Sequence, residues 1–361
     1  MKRLLQRILT KPVIWLANKF SSRPNLQRVH TALTALYEDC VKNPGKKGLM
    51  LEMDAAHARF IIFSDQHKGA KNGSDDFMKA EPTYLQALHY YLEQDFHFIS
   101  LGDEEELWEN LLGPVKANNE KSIALQKDFL LQQRYTKVFG NHDTFWNNDP
   151  FAGIQLKSMY DTPVNIYEAV LLKLKIEKSN VEIFLTHGHQ GDGLSDTNWF
   201  SAWFVGRVWA PLQSFLNLNP NLPATNDQLK TVHNRFMYEW SEQKKNPVLI
   251  TGHTHQPVFA SLTHLEKLYQ QLDKARRNAD NTAIALLTKK IRYVQEEYDY
   301  VINNYHKSKP CYFNTGCCCF TDGDITGIEI ADAEIRLIKW HKNTTGYERI
   351  VLEKMLLQEL L

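Results

Sequence analysis

Histidines one residue apart occur twice in this chain, each time after a short apolar run: THGH at 186–189 and TGHTH at 251–255. In an extended segment, residues i and i+2 project to the same side. His253 and His255 can therefore reach into one cluster. Three more apolar runs end in similar residues. ARFIIF, 58–63, gives way to Ser64-Asp65-Gln66-His67, and DFHFISL, 95–101, to Gly102-Asp103. TKVF, 136–139, gives way to Gly140-Asn141-His142-Asp143. Carboxylate, imidazole and amide oxygen suit a borderline divalent ion such as Mn²⁺, Fe²⁺ or Zn²⁺. A central carboxylate can bind two cations at once, and paired ions about 3.5–4 Å apart clamp a phosphate and activate a water.

Such residues must be brought together by the elements that precede them. Each apolar run, bounded by polar residues, reads as a buried strand. Residues 80–95 and about 117–134 read as helices. AVLLKLKIE and VEIFLT flank KSN as a hairpin, and PVLIT runs into TGHTH. CYFN, DITGIEIA and EIRLIKW close the chain as strands, before a short C-terminal helix over 346–361. Helices and strands alternate early and hairpins dominate late, which predicts an α/β fold with mixed sheets. In such sheets ligands gather beyond the carboxyl ends of the strands.

Two insertions interrupt the main domain at 51–345. Residues 194–246 are dense in aromatic side chains, among them Trp199, Phe200, Trp203, Phe204 and Trp209. They read as a helical apolar cap, or as the insertion's own small core. Arg207 lies among them and can pair with a phosphate bidentately. Residues 260–308 read as a helical pair, with stripes at Leu262, Leu265, Leu268 and Leu272 and at Ile284, Leu287, Ile291 and Val294. This pair is a candidate homodimer arm.

Composition narrows the function classes. Of 361 residues, Lys+Arg and Asp+Glu number 42 each. The chain therefore has no global field to steer nucleic acid and no strong nucleic-acid signature. No apolar run is long enough to span a bilayer. Five cysteines, three of them adjacent at 317–319, do not form a disulfide pattern and point to a reducing cytoplasm. The triplet is expected to be buried and structural, because neighbours on a strand face opposite ways. Residues 1–50 form a basic helical segment, with seven Lys or Arg before the first acid at Glu38. It packs on the domain or lies on an anionic membrane surface as a peripheral contact.

SDQH, LGDEEE, FGNHD, THGH and TGHTH stand in the order of the five blocks of the calcineurin-like metallophosphoesterases, and the chain resembles that family over most of 58–340. The resemblance implies a four-layer αββα sandwich of two mixed β-sheets, with the insertions above one rim. It implies a cytoplasmic dinuclear phosphoric ester hydrolase with two divalent ions, Mn²⁺ first, Fe²⁺ or Zn²⁺ otherwise. Asp65, His67 and His255 would hold one ion, and Asn141, His187 and His253 the other. Asp103 would bridge them, and a hydroxide between the ions would attack phosphorus in line. His142 would serve the leaving group, oriented by Glu106 or by Asp143, with Glu106 preferred. His189 is a candidate substrate contact beside Arg207. The remaining histidines, His233 among them, read as structural or solvated.

The resemblance implies a small phosphorylated substrate, lipid-linked or nucleotide. The stretch Asp103, Glu106, Trp108 with a cap and a basic N-terminus resembles the UDP-2,3-diacylglucosamine diphosphatases, which would place a pyrophosphatase at the membrane surface. That family usually has Arg where this chain has His142. A nucleotide phosphodiesterase or nuclease, and a catalytically silent scaffold, complete the alternatives.

Overall fold

A computed structural model describes residues 25–72, 75–191, 227–243, 245–295 and 308–361. The predicted apolar runs are strands. β1 (Gly48–Asp54), β2 (Arg59–Phe63), β3 (His97–Leu101), β4 (Tyr135–Val138) and β5 (Ile166–Tyr167) come first. β6 (Ala169–Ile176), β7 (Ser179–Thr186), β8 (Val248–Thr251), β9 (Val258–Phe259) and β10 (Leu262–Thr263) follow. β11 (Tyr312–Asn314), β12 (Ile325–Ala331), β13 (Glu334–Lys342) and β14 (Tyr347–Leu356) end the chain. They form two sheets, ordered β1-β6-β7-β8-β11-β9-β10 and β14-β13-β12-β2-β3-β4-β5. Both are mixed: β2, β3 and β4 run parallel while β12 pairs antiparallel with β2, and β8 runs parallel to β7 and β11 while β6 opposes β7.

The inner faces of the sheets meet in one apolar core. Ile62, Ile99 and Val138 pack there against Val170, Leu172, Ile183 and Ile250. Each fully buried side chain of this kind contributes about 1.5–3 kcal/mol. Helices cover the outer faces. α1 (Leu26–Lys42) places Val29, Leu33, Leu36 and Cys40 on one stripe, and Asn25 caps its start by accepting from the Arg28 amide at 3.1 Å. On the other sheet, α2 (Glu81–Glu93) sets Tyr84 and Tyr91 against Phe63 and Phe98. The layers are therefore αββα.

Several expectations need correction. The single helix over 117–134 is two, α3 (Leu112–Asn118) and α4 (Glu120–Leu131). Buried Asn119 separates them and donates to the carbonyls of Gly69 and Val115, each at 2.8 Å. The helix expected over 346–361 is instead β14 and a short turn. Pairing with β13 and the Arg349 guanidinium on Glu329, at 2.7–2.9 Å, override a locally helix-compatible sequence. Gly48 already opens β1, so the segment over 1–50 ends inside the sandwich, and Leu26–Lys42 is a layer helix. Of the 194–246 insertion, 194–226, with Arg207, and residue 244 lie outside the described residues. Its end, α5 (Asp227–Ser241), is an outer-layer helix, with buried Met237 and Trp240 against Phe184. In the second insertion α6 (His264–Arg277) and α7 (Asn281–Gln295) pack through Leu265, Leu268, Leu272 and Ile291. A Thr263–Glu266 capping box opens the first of them.

Candidate metal centre

β2, β3 and β4 run parallel, so their carboxyl ends share an edge, and β7 and β8 deliver theirs from the facing sheet. The loops that follow hold the candidate ligands. Five of these have left-handed backbone: Asp65 (φ 54°), His67 (51°), Asp103 (51°), His253 (68°) and His255 (56°). Such residues cost on the order of 1–3 kcal/mol each and persist only where the surroundings hold them. Here the Asp65 amide donates to the Gly102 carbonyl at 3.1 Å, and the His67 amide to the Asp103 carbonyl at 3.0 Å. The His253 amide donates to the Asp65 carboxylate at 3.0 Å. Gly102 shows how tightly the loops meet: a Cβ there would lie 2.5–2.7 Å from the His187 side chain.

The donor atoms converge in a telling way. His187 Nδ1 lies 2.9 Å from the Leu101 carbonyl, so it carries the proton and donates. In the neutral ring Nε2 would be a bare lone pair, yet it faces Asp103 Oδ2 at 3.0 Å and Asn141 Oδ1 at 3.2 Å. His67 repeats the pattern. Its Nδ1 lies 2.8 Å from Glu106 Oε2, and its Nε2 faces His255 Nε2 at 3.1 Å. His255 Nε2 in turn lies 3.1 Å from Asp65 Oδ1. Lone pairs set against lone pairs at this spacing repel unless a cation or a proton lies between them. Donors that share an ion at about 2.0–2.2 Å are spaced in this way, and a carboxylate or carbonyl on the far imidazole nitrogen is the usual support for a metal-binding histidine.

The titration of these groups agrees. Burial alone would lower His187, but Asp103 and Asp65 lift it to about 9. Burial is likewise outweighed at His255, which Asp65 holds well above the ordinary range. The proton takes the place a cation would take. His253 is pushed well down by burial and by neighbouring His233 and His187, which leaves a neutral donor. Asp103, His187 and His253 bring ligand atoms within 4.8 Å of one another. The residues present therefore fit divalent ions.

The model of the family described as calcineurin-like phosphoesterase matches residues 58–257. The chain belongs to this family. Among solved structures, vacuolar protein sorting 29 from Cryptosporidium parvum is similar, at 10% identity and TM-score 0.33, over 83% of this chain and 98% of that one. A Vps29 single mutant from Entamoeba histolytica gives 13% identity and TM-score 0.30, over 82% and 99%. Comparison with curated protein sequences gives no match.

Beside these candidate ligands stands His142. Its Nδ1 lies 2.7 Å from Glu106 Oε2, a close ion pair outside hydrogen-bond alignment, and the Trp108 ring stacks on it at 4.1 Å and 20°. Burial would lower its pKa, but Glu106 and Asp103 raise it to about 9. Glu106 thus touches both His67 and His142. Asp143, the other candidate orienter, accepts instead from the amides of Gly140 at 2.5 Å, Glu104 at 3.0 Å and Asp103 at 3.3 Å. It clamps one loop to the next. His189 is buried, with its ring 5.5 Å from that of His187, and burial lowers it to about 3.

Two residues at the rim escaped the sequence reading. α5 carries His233, whose ring lies 5.1 Å from that of His253. Cys319 Sγ lies 3.9 Å from His255 Nδ1. The missed signal for Cys319 is positional: Thr315-Gly316 follows β11, which is parallel to β8 and so ends at the same rim.

Beneath the rim lies a second buried charge cluster. Lys68 Nζ donates to Glu104 at 2.7 Å, while Lys137 donates to Glu104 and, at 2.9 Å, to Glu105. Ser100 and Tyr135 also donate to Glu104, at 2.6 and 2.9 Å, and Trp146 Nε1 donates to Glu105 at 2.8 Å.

Proposed function

We propose that this chain is a metal-dependent phosphoester hydrolase with two ion subsites on one rim. Asp65, His67 and His255 would hold one ion, Asn141, His187 and His253 the other, with Asp103 shared. The observation that carries this reading is His187 Nε2, set against two oxygen donors, Asp103 and Asn141, at 3.0 and 3.2 Å. When bound, divalent ions supply Lewis-acid polarisation of a phosphoryl oxygen and a lowered water pKa. The protein's own contribution is positional. Glu106 and Trp108 fix the His142 ring, and a protonated His142 keeps Nε2–H free to donate to the departing ester oxygen. Neutral His189, whose ring lies 5.5 Å from that of His187, would accept from a substrate hydroxyl.

Parallel hydrolysis assays test this on an aryl phosphomonoester, a bis-aryl phosphodiester and a UDP-linked acyl sugar. They are run with Mn²⁺ or Zn²⁺ and with a chelator. Metal-dependent turnover of one of them, lost in His142→Ala and Asp103→Asn, is expected and would name the bond type. Turnover that survives chelation would overturn the reading. Silence together with no bound metal would favour a scaffold.

A further inference from the structure

The three adjacent cysteines are not equivalent. Gly316 (φ 76°) turns the chain after β11, and the Cys318 amide donates to the Asp65 carbonyl at 3.2 Å. The Thr326 amide donates to the Cys317 carbonyl at 3.0 Å. With the segment pinned on both sides, Cys318 packs into the apolar cluster that holds Phe63 and Tyr84. Cys319 faces the opposite way, buried at the rim, with Sγ 3.9 Å from His255 Nδ1. Ligand atoms of His67, His255 and Cys319 lie within 4.8 Å of one another. Three loops, after β2, β8 and β11, thus bring two imidazoles and a thiol into one cluster, the thiol approaching His255 from its Nδ1 edge while Asp65 Oδ1 lies 3.1 Å from Nε2 of the same ring.

We propose that Cys319 is a fourth protein ligand of the Asp65–His67–His255 subsite, binding as a thiolate and releasing its proton to solvent. The inference rests on the metal reading above. A sulfur donor changes what the subsite prefers. Thiolate with imidazole suits Zn²⁺ or Fe²⁺, whereas carboxylate and water suit Mn²⁺ and Mg²⁺. The subsite would then select a softer ion than the Mn²⁺ expected from the sequence, and the two subsites would differ. A buried cysteine can simply be a small apolar side chain. Cys318 meets that description, while Cys319 points its sulfur at the ligand cluster.

The test is absorption spectroscopy of the full chain reconstituted with Co²⁺, beside Cys317→Ser, Cys318→Ser and Cys319→Ser. Wild type is expected to show a near-ultraviolet thiolate-to-cobalt charge-transfer band together with the visible ligand-field bands. The charge-transfer band should vanish in Cys319→Ser and persist in the other two. Elemental analysis after competition between Zn²⁺ and Mn²⁺ should show Cys319→Ser shifted toward Mn²⁺ by about 10–100-fold. Ligand-field bands without charge transfer in wild type would overturn the thiolate while leaving the metal site intact. This outcome needs no variant to fold. Loss of the band in Cys317→Ser instead would overturn the assignment to Cys319. Failure of wild type to bind Co²⁺ would sink the metal reading and this inference together.

Discussion

Two clusters of buried charge lie back to back, and their ligands alternate along the same loops. His67 turns to the rim and Lys68 turns inward, while Asp103 faces the rim and Glu104 and Glu105 do not. The inner cluster closes on itself. Two lysines meet two carboxylates, and hydroxyl, amide and indole donors take up further acceptor capacity. The rim does not close. Asp65, Asp103 and Glu106 face imidazoles whose free nitrogens point at one another or at oxygen. Both clusters are dense and largely buried, so density of buried charge does not mark function. What separates them is internal balance: the inner cluster is complete as protein, whereas the rim needs a proton or a cation between its facing lone pairs.

Breaking each cluster should therefore have different consequences. The largest effect belongs to Asp103→Asn, which should remove both ions and lower kcat/KM by more than about a thousandfold, the scale on which catalytic electrostatics fails. Assay and elemental analysis read this together. His142→Ala should lower kcat by about 10²–10⁴-fold while metal content stays unchanged. Lys137→Met strikes the balanced cluster instead. It should lower unfolding stability by about 3–5 kcal/mol in urea titrations, because Glu104 and Glu105 lose a buried partner. Its response to added metal should survive. Saturating metal at about 100 times Kd should stabilise wild type by about 2.7 kcal/mol and leave Asp103→Asn unmoved, as thermal unfolding would show.

The smallest effect sharpens the same contrast through pH. The folded pKa of His187, about 9, lies above its ordinary value of 6.5. In the metal-free protein its contribution to stability is fully present below about 6.5 and is lost as pH rises through about 9. Urea midpoints of chelated protein should fall across that window. With ions bound the proton is already displaced and this component of the slope should disappear.

Much of the rim was legible because its signals are local. Each block follows a short apolar run, and strand ends in such sheets converge by topology. Asp65, Asp103, His187, His253 and His255 could be assigned to one cluster on that ground. Cys319 and His233 were less legible for different reasons. Cys319 lies five residues past the end of β11, so its facing depends on the turn at Gly316 and not on strand alternation. His233 reaches His253 only because α5 packs on the outer face of the first sheet, a long-range fact. The C-terminal strand was missed because its apolar and charged residues also suit a helix, and only the pairing with β13 and the Arg349–Glu329 contact decides between them. Asp143 shows the reverse error: a carboxylate next to a catalytic-type histidine serves the backbone instead.

The most direct test of the central claim is metal stoichiometry, by elemental analysis of protein reconstituted with excess Mn²⁺ or Zn²⁺ and then desalted, beside Asp103→Asn with its fold verified by circular dichroism. Two ions per chain in wild type and none in a folded Asp103→Asn would match the rim described above. A wild-type protein that retains no ion, or an Asp103→Asn variant that retains both, would contradict it.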